Sequence, residues 1–320
     1  MPAMSVRERV RRCMGSAYSE RHVYPRVPAA VRKGIDAAKN YVNYRDDLQA
    51  VLDLYNAETK QSRPCTLDDL LYLFGDVNWN CRICVLTKSR PVGRPSRPQR
   101  NVLLNLDRKR HWGPLAEVDK HDVPWEAKAD ALVYRGSSTG VWDEAVDRGR
   151  RALAARYARH EDPAIDVGIN AIIQRAAEPR FRGMYEWMVK PGKSVAEQLR
   201  FRYIVSVEGN DVATNLKWAL YSNSTVLMAK PRVESWALET ALVPGVHYVR
   251  LRDNYSDLEE RLEWCRRNPA KARRIAERGR AYVQQFLDAR REAKVSTEII
   301  RRFLRNVRVL EAPRSIAEGT

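Results

Sequence analysis

The chain has 320 residues, with 57 Lys and Arg against 40 Asp and Glu, a formal charge of +17. An apolar fraction of 44% is too high for an intrinsically disordered chain, and no apolar run approaches the roughly 18 residues of a membrane span. Collagen-like, disulfide-scaffold and membrane-spanning classes are excluded, and at about 100–200 residues per domain the length predicts two domains or one large α/β unit.

The amino-terminal stretch MPAMSVRERVRRCMGSAY is basic but lacks the apolar core of roughly 7–15 residues that marks a secretory signal. A cytoplasmic protein is expected. Five cysteines, Cys13, Cys65, Cys81, Cys84 and Cys265, form an odd and scattered set that fits a reducing compartment. Cys81 and Cys84 have the spacing of a zinc knuckle or redox pair, yet no second pair completes a four-ligand site, so half-buried thiols and no metal are expected.

The first part of the chain reads as mainly helical. Thr66-Leu-Asp-Asp69 looks like a cap before a helix through Leu70, Leu71, Leu73 and Phe74, stopped by Gly75. Three prolines and a glycine make Arg90 to Pro98 a loop. From about residue 130, short apolar runs alternate with amphipathic stretches. Strands are predicted at 131–134, 165–169, 203–207, 225–228 and 248–251, and helices at 144–158, 195–199, 212–221, 235–242 and 258–266. Ser194 with Glu197 and Ser256 with Glu259 have capping-box spacing. Asn268-Pro269 opens one further helix, and Ser296 to Val307 forms another. Alternation of this kind predicts a parallel, doubly wound sheet with ligands at the carboxyl ends of its strands.

Three junctions carry candidate chemistry. Arg135-Gly-Ser-Ser-Thr-Gly140 follows a predicted strand, and its glycines, hydroxyls and N–H groups suit phosphate oxygens as well as a plain turn. It matches neither the dinucleotide nor the P-loop fingerprint. Val207 to Asn215 is the second, with Gly209 and Asn210 in a turn and Asp211 capping a helix from Val212. In the third, Glu234 suits a ribose diol or a helix dipole, and His247 suits either a satisfied core position or catalysis. No Asp-x-Asp clamp for a metal-bound diphosphate occurs, so if a sugar nucleotide is the donor, leaving-group charge falls to Arg, Lys and helix dipoles.

These segments carry a resemblance. Residues 199–224, Glu234-Ser-Trp236, Leu242 to Val249 and Asp257 to Trp264 resemble glycosyltransferase family 90, which includes protein O-glucosyl- and xylosyltransferases, capsule xylosyltransferases and bacterial lipopolysaccharide A proteins. Lys88-Ser-Arg-Pro91, residues 101–111 and Tyr134-Arg-Gly136 are similar to the bacterial branch. The resemblance implies a GT-B-like fold of two Rossmann-like domains with parallel sheets and a cleft. Residues 1–125, completed by a carboxy-terminal helix in 290–320, would be the acceptor side, and 126–289 the nucleotide-sugar side.

It further implies an inverting, metal-independent transfer of glucose, xylose or a similar sugar from a UDP-sugar, with no cofactor beyond that co-substrate. Asp76 takes the position of the base that deprotonates the acceptor, with Lys88 and Arg90 beside the acceptor. Donor contacts fall on Arg135, Gly136, Ser137, Thr139 and Arg148, on Gly209, Asn210, Asp211, Val212, Ala213, Thr214 and Asn215, and on Glu234 and His247. Eukaryotic relatives place arginines where this chain has Trp142 and Asn215, leaving Arg148, Arg150 or Lys217 to supply the charge.

The expected acceptor is a lipopolysaccharide core or related glycan, with a protein hydroxyl as the alternative. The +17 surplus also fits peripheral contact with the anionic inner face of the cytoplasmic membrane. Nucleic acid is not an expected partner, because no RNP, zinc-finger or zipper pattern accompanies the basic clusters. A non-catalytic basic α/β protein that binds nucleic acid or another anion is the rival class.

Overall fold

The structure, a computed structural model, describes residues 3–24, 41–92, 98–140, 142 and 148–309. Parts of the predicted Arg90 to Pro98 loop, of the 144–158 helix and of the 290–320 segment therefore lie outside the described residues. The chain divides into two units, Met1–Arg108 with Asp288–Thr320, and Lys109–Leu287. The sequence-derived boundary stood at 125/126. The division comes earlier because 109–125 is bound into the second unit, where Asp122 takes Lys128 and the Asn223 amide and Asp119 takes the Tyr221 hydroxyl.

In chain order the first unit contains α1 (Val6–Met14), β1 (His22–Tyr24), α2 (Val42–Thr59), β2 (Tyr72–Leu73), β3 (Val85–Thr87), β4 (Ser89–Pro91) and β5 (Asn101–Leu103). Ser5 caps α1 through the Glu8 amide. Strands β2, β3 and β5 form a parallel sheet, with Leu86 opposite Tyr72 and Val102. This corrects the reading of 70–74 as a helix. The capping box of Thr66 and Asp69 exists but closes one 3-10 turn, and Leu70, Leu71, Tyr72 and Phe74 are buried as a short strand segment. An apolar run that short fits either element, and pairing with β3 decides it.

After α3 (Arg108–His111) the second unit continues with α4 (Leu115–His121), β6 (Ala129–Ser137), α5 (Gly149–Tyr157), β7 (Ile165–Ala171), α6 (Pro179–Arg182), α7 (Val195–Gln198) and β8 (Phe201–Ser206). It ends with α8 (Leu216–Tyr221), β9 (Thr225–Met228), β10 (Val233–Ser235), β11 (Val249–Arg250), α9 (Leu258–Arg267) and α10 (Pro269–Gln284). Its five-stranded sheet is parallel throughout, in the order β11-β9-β8-β6-β7. Tyr134, Leu153, Val167, Tyr203, Val205, Leu227, Leu258 and Ile275 lie in one buried core on it.

Three helix expectations are corrected here. Residues 212–215 are loop because Asn215 ties back to β8, donating to the Val205 carbonyl and accepting from the Ser206 hydroxyl. Residues 235–242 hold only a 3-10 turn at Glu239–Ala241, because Leu238 takes φ 50° and Glu239 accepts the Ser235 amide. The Ser256 box does not form. Asp257 stands at the N-cap position of α9 without a side-chain capping bond, its carboxylate holding the Arg252 amide and Arg261, and Glu259 reaches His160 at 3.5 Å.

Two last elements, α11 (Ala289–Asn306) and β12 (Val307–Val309), belong to the first unit. Asp288 caps α11 through two amides, and Val295, Ile299, Ile300 and Phe303 are buried on it. Strand β12 pairs in parallel with β1. Among the described residues no helix is long and apolar enough to cross a membrane.

Candidate active site

The spatial order β7-β6-β8-β9-β11 has a switch point, because the chain leaves β6 for β7 on one side and returns to β8 on the other. Ligands of open α/β sheets sit at the carboxyl ends of the strands there. The loops that follow β6 and β8 meet at this place, where the Gly140 amide donates to Asn210 Oδ1 at 3.2 Å. A Cβ on Gly136 would stand 2.5 Å from the Tyr134 hydroxyl, and one on Gly209 2.9 Å from Arg150. Neither position has room for a side chain without displacement. The Tyr134 phenol is fully buried and pushed up to about 12 by desolvation.

Arg150 joins the two loops. Its Nη1 donates to Thr139 Oγ1 at 2.8 Å and Ser137 Oγ at 3.3 Å, and its Nε donates to the Val207 carbonyl at 3.3 Å. The result is a partly exposed guanidinium between two glycine turns, a cradle for anionic oxygens. Of the three charges the sequence left open, Arg150 is the one in this position. Arg148 is exposed at the cap of α5, and Lys217 is buried against Glu239 at 2.7 Å. Trp142 lies under Arg151 at 4.8 Å and Arg175 at 4.5 Å.

Beside the cradle, a cavity is lined by Ser206, Glu208, Val212, Ala213, Leu216, Arg232 and Glu239. Glu208 accepts the Arg232 and Val233 amides at 2.8 and 3.1 Å, and burial raises its carboxyl above the usual range. Asp211 is buried, and its carbonyl accepts the Gly209 amide. Thr214 is partly exposed.

Other sequence candidates have structural partners elsewhere. Arg135 Nη2 donates to both carboxylate oxygens of Asp166, at 2.7 and 2.9 Å, and its Nε donates to the Pro191 carbonyl. Glu234 is buried and holds the Thr240 hydroxyl, whereas Glu239 faces the cavity. His247 Nδ1 accepts the Val243 amide at 2.9 Å, and burial lowers its pKa. Sequence reasoning missed Glu208 and Arg232, although both stand in or beside motifs it quoted. Their place on the cavity comes from strand ends that sequence does not bring together.

In the first unit, Asp76 follows β2 and Lys88 follows β3, again at the carboxyl edge of a parallel sheet. Gly75 takes φ 100° to turn the chain there. Lys88 Nζ lies 2.8 Å from Asp76 Oδ1 and 5.6 Å over the Tyr44 ring. The lysine side chain is 2% exposed and the aspartate 25%, so the carboxylate keeps a face open to solvent. The two loops are tied by Ser89, whose hydroxyl bonds the amide and carbonyl of Val77. Arg90 is buried with its guanidinium on the carbonyls of Arg12, Cys13 and Asn101, which makes it a strut of α1 and β5.

Comparison with known proteins then decides the family. The sequence pattern described as "Glycosyl transferase family 90" matches residues 108–302. The O-glucosyltransferase LpsA of Dichelobacter nodosus is 34% identical over 311 residues, covering 89% of this chain and 86% of that protein. The chain belongs to glycosyltransferase family 90.

A family 90 chain is a glycosyltransferase, and two α/β units on parallel sheets agree with the architecture its sequence predicts. The human protein O-glucosyltransferase 3 is 25% identical over 51% of this chain and 32% of its own length, so the family 90 chain spans about a third of that relative. The Anabaena protein HepE, solved with UDP-glucose, gives a TM-score of 0.38 at 14% identity over 59% of this chain and 52% of that one.

Proposed function

We propose that this family 90 enzyme moves a glucose-type sugar from a UDP-sugar to a hydroxyl of a lipopolysaccharide core or related glycan, with inversion and without a metal. LpsA, alike over nearly the whole length of both chains, supports the sugar and the acceptor class. The observation that carries the donor assignment is the Arg150 fork, which joins the two loops at the switch point. In this reading the first unit is the acceptor side and the second the donor side.

The acceptor hydroxyl gives its proton to the Asp76 carboxylate as its oxygen attacks the anomeric carbon from the face opposite the nucleotide. The bond from that carbon to the β-phosphate oxygen breaks, and UDP leaves with the electron pair. Arg150 and the amides of the two glycine turns meet the charge that develops on the diphosphate. Glu239 or Glu208, both lining the cavity, can accept hydrogen bonds from the ribose diol. The basic surplus suits an acceptor that is a phosphorylated glycolipid at an anionic membrane.

The test is calorimetric titration with UDP in EDTA. Arg150→Ala is expected to weaken UDP binding by about 10- to 100-fold, the loss of one charge-assisted contact set. Unchanged affinity in the variant would remove Arg150 from the donor site. Offering a glycan and a folded protein domain as rival acceptors separates the lipopolysaccharide reading from protein O-glycosylation.

A further inference from the structure

Between β7 and α7 the chain makes an excursion that neither candidate site uses. Its inward side chains Ala176, Tyr185 and Met188 are buried in a small core with Ala154 and Ile169. That packing holds the backbone, so the outward side chains are displayed in fixed places. Beside exposed polar and charged residues they include four large apolar ones: Ile173, Met184, Trp187 and Val189 are 40%, 54%, 38% and 42% exposed. Large apolar side chains concentrated on one short, ordered stretch of surface mark an interaction site.

The charge around them has one dominant sign. Residues 172–190 carry Arg175, Arg180, Arg182 and Lys190, and with Arg156 and Arg159 beside them make six positive side chains against Glu178 and Glu186; Arg180 pairs with Glu178, Arg182 with Glu186 and Lys190 with Asp166. Arg159 lies over the Trp187 ring at 5.0 Å, and Trp187 lines a shallow pocket with Ala155, Arg156 and Arg159. An exposed indole beside methionine and valine with arginines at its rim is the composition of an interfacial membrane contact. The apolar groups enter the acyl boundary while the cations meet anionic headgroups.

We propose that the 172–190 excursion, with Arg156 and Arg159, docks this enzyme on an anionic lipid bilayer. The proposal deepens the membrane-acceptor reading and rests on it for its purpose. Lipid binding can nonetheless be measured without sugar transfer.

The experiment is sedimentation of the full chain with vesicles of phosphatidylcholine alone or mixed with phosphatidylglycerol. Binding is expected only with the anionic lipid and should weaken as salt rises. Met184→Glu with Trp187→Glu is expected to reduce it about tenfold or more. Leu54→Glu, at an exposed apolar position on α2, should leave binding unchanged. Vesicle binding by the double variant equal to that of the parent, or no binding by the parent, overturns the proposal. Loss of binding only on charge reversal at Arg11 and Arg12 of α1 also overturns it, in favour of a different face. Transfer to a soluble acceptor without vesicles, measured in parallel, reports on the transferase reading independently and should be unaffected in the double variant.

Discussion

Asp76→Asn is expected to lower the transfer rate by about 10²- to 10⁴-fold, the usual contribution of a positioned general base. The amide keeps the shape of the side chain but has no carboxylate to take the acceptor proton. Asp76 stands in the unit that lacks the Arg150 cradle, so UDP affinity should stay within about twofold of the parent while kcat collapses. One complication follows from the geometry. Lys88 is 2% exposed and loses its anionic partner in the variant, so thermal stability must be measured beside activity. Asp76→Glu, which keeps that charge but moves it, should be as stable as the parent and still slow. A folded Asp76→Asn enzyme within about tenfold of the parent rate would remove Asp76 as the base.

The second large effect concerns folding. Lys217→Met is expected to destabilise the second unit by about 3–5 kcal/mol, read as a fall in its denaturation midpoint, because it leaves a buried carboxylate without its cation. Lys217 and Glu239 side chains are each 2% exposed at 2.7 Å, and Ser235 bonds both. Burial pushes the Glu239 carboxyl up, but the Lys217 charge and the donors from Lys217 and Ser235 outweigh it and hold the group below the usual range. Its contribution to stability is therefore present above the ordinary carboxylate pKa and lost as pH falls through the lowered one.

In the variant the sign reverses. Glu239 without its cation takes up a proton more readily, so the deficit should be largest near neutral pH and shrink on acidification. Removing both charges with Lys217→Met and Glu239→Leu should recover much of the loss. A pH-independent deficit would show that packing, and not charge, sets the cost.

Much of the second unit was legible from the order of its residues. Buried parallel strands are apolar along their whole length, and the runs at 165–169, 203–207 and 225–228 became β7, β8 and β9. Ser194 with Glu197 forms the predicted capping box because both oxygens are exposed and have no competing partner. Where competing partners exist, local signals failed. Glu259 has His160, and Asn215 has the end of β8, and each departs from the cap or helix its neighbours specify.

The candidate site follows the same division. Motif residues Ser137, Thr139, Gly209 and Asn210 were readable because a glycine turn after a strand has a local signature, and they do meet. Arg135 stands in the same motif, yet Asp166, thirty-one positions away, takes its guanidinium. Arg150 carried no mark that set it apart from Arg148.

By itself, then, the sequence determined the family, the α/β class and the parallel strands of the second unit, because these depend on local composition, spacing and ordered motifs. Tertiary structure alone decided which charges have carboxylate partners within the protein. That choice depends on partners far apart in the chain: Lys217 is buried on the Glu239 carboxylate within the protein, whereas Arg150 is held by hydroxyls and a carbonyl, the arrangement on which the proposed donor site rests.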